Sequence, residues 1–165
     1  MRKKKFIPYR RKLEGKTNYR KRLEMLKSGK LRLVVRKSLK NMTIQLVEFK
    51  VDGDKTVFGL SSKALSKYGW TKYRRNIPAA YLLGLAFGVE AQKKGLKEAV
   101  FDLGLYKSRK GSVLFSVLNG VVDSGMDVHH NKEVFPSAER IIGKHISEEI
   151  VKEFEKVKGN IQKVK

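Results

Sequence analysis

The sequence predicts an α/β fold: a single domain on a mixed sheet, with a basic N-terminal arm and a peripheral C-terminal helix. Three observations carry this. Residues 31–36, 42–48 and 55–61 are short runs rich in aliphatic and β-branched residues, separated by turn formers, which is the pattern of an antiparallel meander. A long apolar helix from Pro78 to about Lys94 leads into EAVFDL, residues 98–103, and a helix between two strands makes a crossover that pairs them in parallel. Of the 165 residues 41% are apolar, enough for one complete core.

Taken in order, residues 1–16 (MRKKKFIPYRRKLEGK) combine dense positive charge with isolated Phe6, Ile7, Tyr9 and Leu13. That is too little apolar surface to fold alone, so this stretch reads as an arm that orders against an anionic partner. A helix follows, capped by Thr17 or Asn18, with Tyr19, Leu23 and Leu26 on a packing stripe, Arg20, Lys21, Arg22 and Lys27 left to solvent or partner, and Gly29 as its stop. In the first hairpin Leu31, Leu33, Val35, Met42, Ile44 and Leu46 face the core, which puts Arg32, Arg36, Thr43 and Gln45 on the other face. Residues 38–41 and Asp52-Gly53-Asp54 are the turns.

A loop with a short helical piece precedes Pro78, which stands at the first position of the long helix. Tyr81, Leu82, Leu85, Ala86, Phe87 and Val89 cover nearly its whole circumference, so it is buried; Gly84 and Gly88, one turn apart, permit close backbone approach, and Gly95 ends it. After the strand at 98–103, Ser112 caps a helix carrying Val113, Leu114, Val117, Leu118, Val121 and Val122 up to Gly125. A loop spans 125–136. Ser147 then caps a peripheral helix with Ile150, Phe154 and Val157 on its stripe, ending at Gly159. The organisation expected is an arm at 1–16, an α/β domain at 17–136 and a helical extension at 137–165.

Charge narrows the function. There are 38 Lys and Arg against 16 Asp and Glu, a net of +22, far more than solubility asks of a small domain. The first forty residues hold 17 of the cations and two Glu, a net of +15, so a polyanionic partner is met chiefly by the first quarter of the chain. With no cysteine there are no disulfides and no thiolate metal sites. The longest apolar stretch, 77–91, is interrupted by Pro78 and is shorter than the roughly 20 residues that span a bilayer, and nothing resembles a secretory signal. The cytosol is the expected compartment, without a membrane partner.

Three groups of residues suit a phosphate-rich ligand. The basic arm interleaves cations with Phe6, Tyr9 and Tyr19, and aromatic rings stack on exposed bases while Lys and Arg release counterions from phosphates; a solvated tail is the plainer alternative. On the hairpin, Arg32, Arg36 and Lys37 suit phosphates, and Thr43 and Gln45 suit sugar hydroxyls, although any half-exposed sheet has polar outward residues. In YKSRKGS, residues 106–112, Lys107, Arg109 and Lys110 precede a helix N-terminus with Gly111 and Ser112 at its mouth, which is either a phosphate pocket or a solvated basic loop. The loop YGWTKYRRN, residues 68–76, offers Trp70 either as a stacking platform or as a core plug. His129 and His130 lack the partners of a metal site, and Asp102 lacks the acidic companions that metal-dependent nucleotidyl chemistry needs, so no cofactor, metal or small-molecule substrate is expected.

The stretches TNYRKRLEMLKSGKLRLVVRKSLKN, KYGW, PAAYLLGLAFG, KGLKEAVFDLG and KGSVLFSVLNGVVDSGMDVHHN, in this order, resemble the large-subunit ribosomal protein eighteen family of archaeal and eukaryotic type. That resemblance implies ribonuclease-H-like topology without nuclease activity, and a structural role in the central protuberance. The implied partners are 5S rRNA, the large rRNA and a neighbouring 5S rRNA-binding protein. It also implies the contact residues: Arg2, Lys3, Lys4, Lys5, Arg10, Arg11 and Lys12 on the arm; Tyr19, Arg20, Lys21 and Arg22 on the first helix; Arg32, Arg36, Lys37, Ser38, Asn41, Thr43 and Gln45 on the sheet; and Lys107 to Ser112 in the basic loop. The charged loop TKYRRNIPAA departs from the family pattern. The competing reading from another class is a DNA-binding architectural protein, which would also use a basic arm but lacks a helix-turn-helix or zinc finger here. A nuclease is the third.

Overall fold

The structure is a computed structural model and describes residues 7–163. Arg2, Lys3, Lys4, Lys5 and Phe6 of the arm lie outside the described residues. The remainder of the arm contains a one-turn helix, α1 (Arg10–Leu13), followed by α2 (Tyr19–Leu26), whose first turn is capped by Asn18 accepting from the Lys21 N–H. Strands β1 (Arg32–Lys37), β2 (Met42–Glu48) and β3 (Lys55–Ser61) form the expected meander. Then come α3 (Ile77–Lys93), β4 (Glu98–Asp102), α4 (Val113–Asp123), β5 (Asp127–Val128), α5 (Ala138–Ile142) and α6 (Glu148–Lys163).

The five strands make one mixed sheet in the order β3-β2-β1-β4-β5. β1 pairs antiparallel with β2, Arg36 opposite Thr43, and parallel with β4, Val34 opposite Asp102. Alternation along the hairpin puts Leu33, Val35, Met42, Ile44 and Leu46 on the face covered by α3 and α4, all fully buried. β5 is a correction to the expected loop: Glu98 and Ala99 pair in parallel with Asp127 and Val128. Two residues are too short a run for any hydrophobic period to reveal.

Helix α3 forms because Asn76 caps it, accepting from the Ala79 N–H at 2.9 Å, and because Pro78 supplies a pre-set φ in the first turn. It is buried all round, as its composition required, and it lies almost backbone to backbone on α4. A Cβ at Gly84 would overlap the Val117 carbonyl, and one at Gly120 would overlap that of Tyr81. Trp70 is a core plug at 1% exposure, donating from Nε1 to the Tyr73 carbonyl.

Helix α6 is not peripheral. Ile150, Phe154, Val157 and Ile161 are all buried against the same core, and the Phe154 ring lies 5.6 Å from that of Tyr81 on α3. The helix also passes through Gly159, which keeps a helical backbone, and ends at Lys163. The extra turn brings Ile161 onto the stripe, and burying that side chain outweighs the roughly 1 kcal/mol that a mid-helix glycine costs.

Helix α2 departs in the other direction. None of its residues is fully buried: Tyr19 and Leu26 are half-buried and Leu23 is 59% exposed, so the expected stripe does not become core. Polar contacts hold it instead.

Candidate nucleic-acid interface

The sheet face opposite α3 and α4 carries Arg32, Val34 and Arg36 from β1, Gln45 and Val47 from β2, Thr56 from β3 and Asp102 from the end of β4. The segment around α1 and α2 leans over it. Between them is a cleft of about 330 Å³, to which the N-terminal side contributes Arg11, Lys16, Lys21 and Arg22.

An alternating chain of charges runs along the floor. Arg22 donates bidentately to Asp54, Nη1 to Oδ2 at 2.8 Å and Nη2 to Oδ1 at 2.7 Å. Arg32 donates from Nη2 to Asp54 Oδ2 at 2.6 Å and from Nη1 to Asp102 Oδ2 at 3.2 Å. Arg36 donates from Nη1 to the carbonyls of Val35 and Asp102, and Nη2 lies 3.5 Å from Asp102 Oδ1. The two Arg22 hydrogen bonds, and with them the one from Arg32, hold the Asp54 carboxyl below the usual range, against the opposing effect of burial. Asp54 in turn raises Arg22.

Here the structure corrects the sequence reading of Arg32. It lies on the expected face but is only 4% exposed, spent on two carboxylates rather than free for a phosphate. Nothing in its own strand announces this, because Asp54 arrives from the β2–β3 turn and Asp102 from β4. Arg36 keeps 42% of its side chain exposed, while Thr43 and Gln45 are half-buried. Lys21 and Arg22 line the N-terminal wall of the cleft, while Tyr19 lines an adjoining recess and its ring lies 5.0 Å from that of Tyr9. Arg10 pairs with Glu14, Arg11 donates to Thr17, and the exposed Lys12 and Arg20 border the same recess.

The β1–β2 turn forms a second cationic region. Ser38 and Asn41, expected as contacts, hold each other, Ser38 N–H to the Asn41 carbonyl at 2.8 Å and Asn41 N–H to Ser38 Oγ at 3.1 Å. Lys37 Nζ lies 5.2 Å above the Tyr106 ring. The charged loop at 69–76 braces this turn: Tyr73 and Arg75 both donate to the Leu39 carbonyl, while Thr71 and Lys72 bind Glu153 and Glu149 of α6.

Beside the turn is a recess of about 430 Å³ at the start of α4, lined by Lys37, Tyr106, Lys107, Arg109, Ser112 and Arg140, among others. Two expectations change here. The Gly111 N–H is not free but donates to the Val134 carbonyl at 2.9 Å; Lys110 pairs with Glu133 at 3.0 Å yet stays 72% exposed. Ser112 stands at the N-cap position without making a side-chain cap bond, and its buried hydroxyl has no partner. Arg140 on α5 completes the recess, and only the fold brings it beside the basic loop.

Chemically, these surfaces can bind polyanions. The Asp102 carboxylate is taken up by Arg32, Arg36 and the Gly104 N–H, which donates at 2.7 Å. His130 sets Nδ1 2.7 Å from its neighbouring Val128 carbonyl, and among the described residues no three His, Asp or Glu side chains converge to hold a metal. No helix among them is long and apolar enough to cross a membrane.

A family described as the ribosomal large subunit proteins 60S L5 and 50S L18 matches residues 3–98. The matched stretch contains α1, α2, the three strands of the meander and α3, and hence most of the cleft; the recess at the start of α4 is formed mainly from residues beyond it. The proteins of that family are structural rather than enzymatic, and they work in the large subunit of cytoplasmic ribosomes as parts of a ribonucleoprotein. More than half of the chain being matched, this protein belongs to the family of ribosomal large subunit proteins 60S L5 and 50S L18.

Proposed function

We propose that the protein binds 5S rRNA and anchors it to the large rRNA in the central protuberance, next to a second 5S rRNA-binding protein, without catalysing a reaction. The observation that carries this is the cleft, where cations of the N-terminal segment and Arg36 of the sheet meet on one surface inside the family-matched stretch. The N-terminal segment and the sheet face act as the two jaws of a clamp, with Lys107, Arg109 and Arg140 as a further phosphate contact. The strand order β3-β2-β1-β4-β5, with one antiparallel meander and two parallel pairings, supports a ribonuclease-H-like topology. A nuclease on that topology would need Asp102 for a metal, whereas its oxygens already accept from two arginines and an amide.

Competition binding tests the proposal. Structured 5S RNA is expected to hold the protein against equal nucleotide concentrations of duplex DNA at moderate salt; displacement by the duplex would favour an architectural DNA-binding protein instead.

A further inference from the structure

In a face that attracts a polyanion, a carboxylate in the floor is a liability unless it does something else. Asp102 is 4% exposed and sits at the carboxyl end of β4, where its two oxygens face three donors. Oδ1 accepts the Gly104 N–H at 2.7 Å and lies 3.5 Å from Arg36 Nη2, while Oδ2 accepts from Arg32. The same residue's carbonyl accepts Arg36 Nη1 at 2.9 Å. From the other side Gly104, at φ +60°, lets the guanidinium lie flat, since a Cβ there would come within 2.9 Å of Arg36 Cζ and Nη2.

Arg36 is thereby held along one edge. Its Nε has no partner among the described residues, and 42% of its side chain remains exposed. A guanidinium fixed in this way presents a planar fork with little rotamer freedom left to lose, the arrangement best suited to a phosphate. We propose that Asp102 is a positioning residue that fixes Arg36 as a preorganised fork for an RNA phosphate. The inference rests on the RNA-binding reading above.

The charge balance makes it testable. Asp102→Asn raises the net charge by one, so if the face acted only as a diffuse positive field, binding of RNA would tighten slightly. Positioning predicts the opposite: about tenfold weaker binding of 5S RNA, and a log–log salt slope shallower by about 0.7–0.9, the value of one phosphate contact. Because Asp102 acts through Arg36, the double variant Asp102→Asn/Arg36→Ala should bind no more weakly than Arg36→Ala alone. Equal or tighter binding by Asp102→Asn, or losses that add in the double variant, would overturn the proposal. If Asp102→Asn does not fold, Gly104→Ala decides, since it displaces Arg36 while leaving every charge in place; unchanged affinity there refutes the proposal equally. Failure of the wild-type chain to bind 5S RNA would sink the underlying reading instead, so the two failures are distinguishable.

Discussion

Replacing Asp54 by Asn should loosen the N-terminal half of the cleft, and the structure sets the scale. Asp54 accepts three guanidinium hydrogen bonds, two from Arg22 and one from Arg32. The Arg22 pair is partly exposed, with 28% and 27% of the two side chains accessible, and after screening it contributes about 1 kcal/mol. Arg32 differs, because at 5% side-chain exposure it would stay buried with only Asp102 opposite, a loss of about 1.5–3 kcal/mol that the remaining amide oxygen partly offsets. The expected total is about 2–3 kcal/mol, or roughly 5–10 °C in melting temperature for a chain of this size.

The sign of the pH dependence follows from the depressed pKa of Asp54, caused first by the Arg22 hydrogen bonds. A carboxyl lowered in the folded state stabilises above its unfolded pKa of about 4, and that stability is lost as pH falls through the folded value. Denaturant unfolding of wild type and variant should therefore differ most near pH 6–7 and converge below about pH 4. Amide exchange in α2 should rise in the variant, because no buried side chain otherwise holds that helix. A difference below about 0.5 kcal/mol at neutral pH, or one that persists unchanged at about pH 2, would refute the reasoning.

Phe154→Ala should destabilise by about 3–5 kcal/mol in thermal or denaturant unfolding, because its ring is buried against Tyr81, whereas a loosely attached extension would lose almost nothing. Gly84→Ala should be destabilising by about 2 kcal/mol despite the better helix propensity of alanine, since its Cβ meets the Val117 carbonyl of a packed helix; calorimetry gives the sign directly. Arg140→Ala should weaken RNA binding and reduce the salt slope by about 0.7–0.9 without changing the melting temperature, and an unchanged slope in a titration series would remove the α5 side of the recess from the interface. Deleting residues 1–16 should lower affinity strongly and flatten the salt dependence by several contacts; a preserved slope would show that the sheet and basic loop suffice.

Most of the meander was legible in the sequence because alternation and turn chemistry are local. Strands β2 and β3 run over the expected residues, and β1 is shifted by one. The buried helix α3 was equally plain from its unbroken apolar circumference and from Pro78 in its first turn, although it begins one residue earlier than expected, at Ile77. The failures have a common origin. A stripe of Tyr19, Leu23 and Leu26 is indistinguishable in sequence from one that packs, yet α2 meets a polar floor and buries none of it fully, while the equally spaced stripe Ile150, Phe154 and Val157 of α6 meets the flank of α3 and becomes core. Periodicity tells which side of a helix is apolar; it does not tell what lies opposite.

The same division applies to the charges. By itself the sequence determined that the protein is a strongly basic α/β domain with its cations concentrated toward the N-terminus, since composition and local order are properties of the chain alone. Only the tertiary structure decided which cations are available. It buried Arg32 between aspartates from two other elements and left Arg36 42% exposed, while the Lys110–Glu133 pair stays largely in solvent. It also added Arg140 to a recess that no local motif contains. The physical reason is that an arginine's role depends on the nearest carboxylate within a few ångströms, and in a folded chain that neighbour usually comes from another part of the sequence.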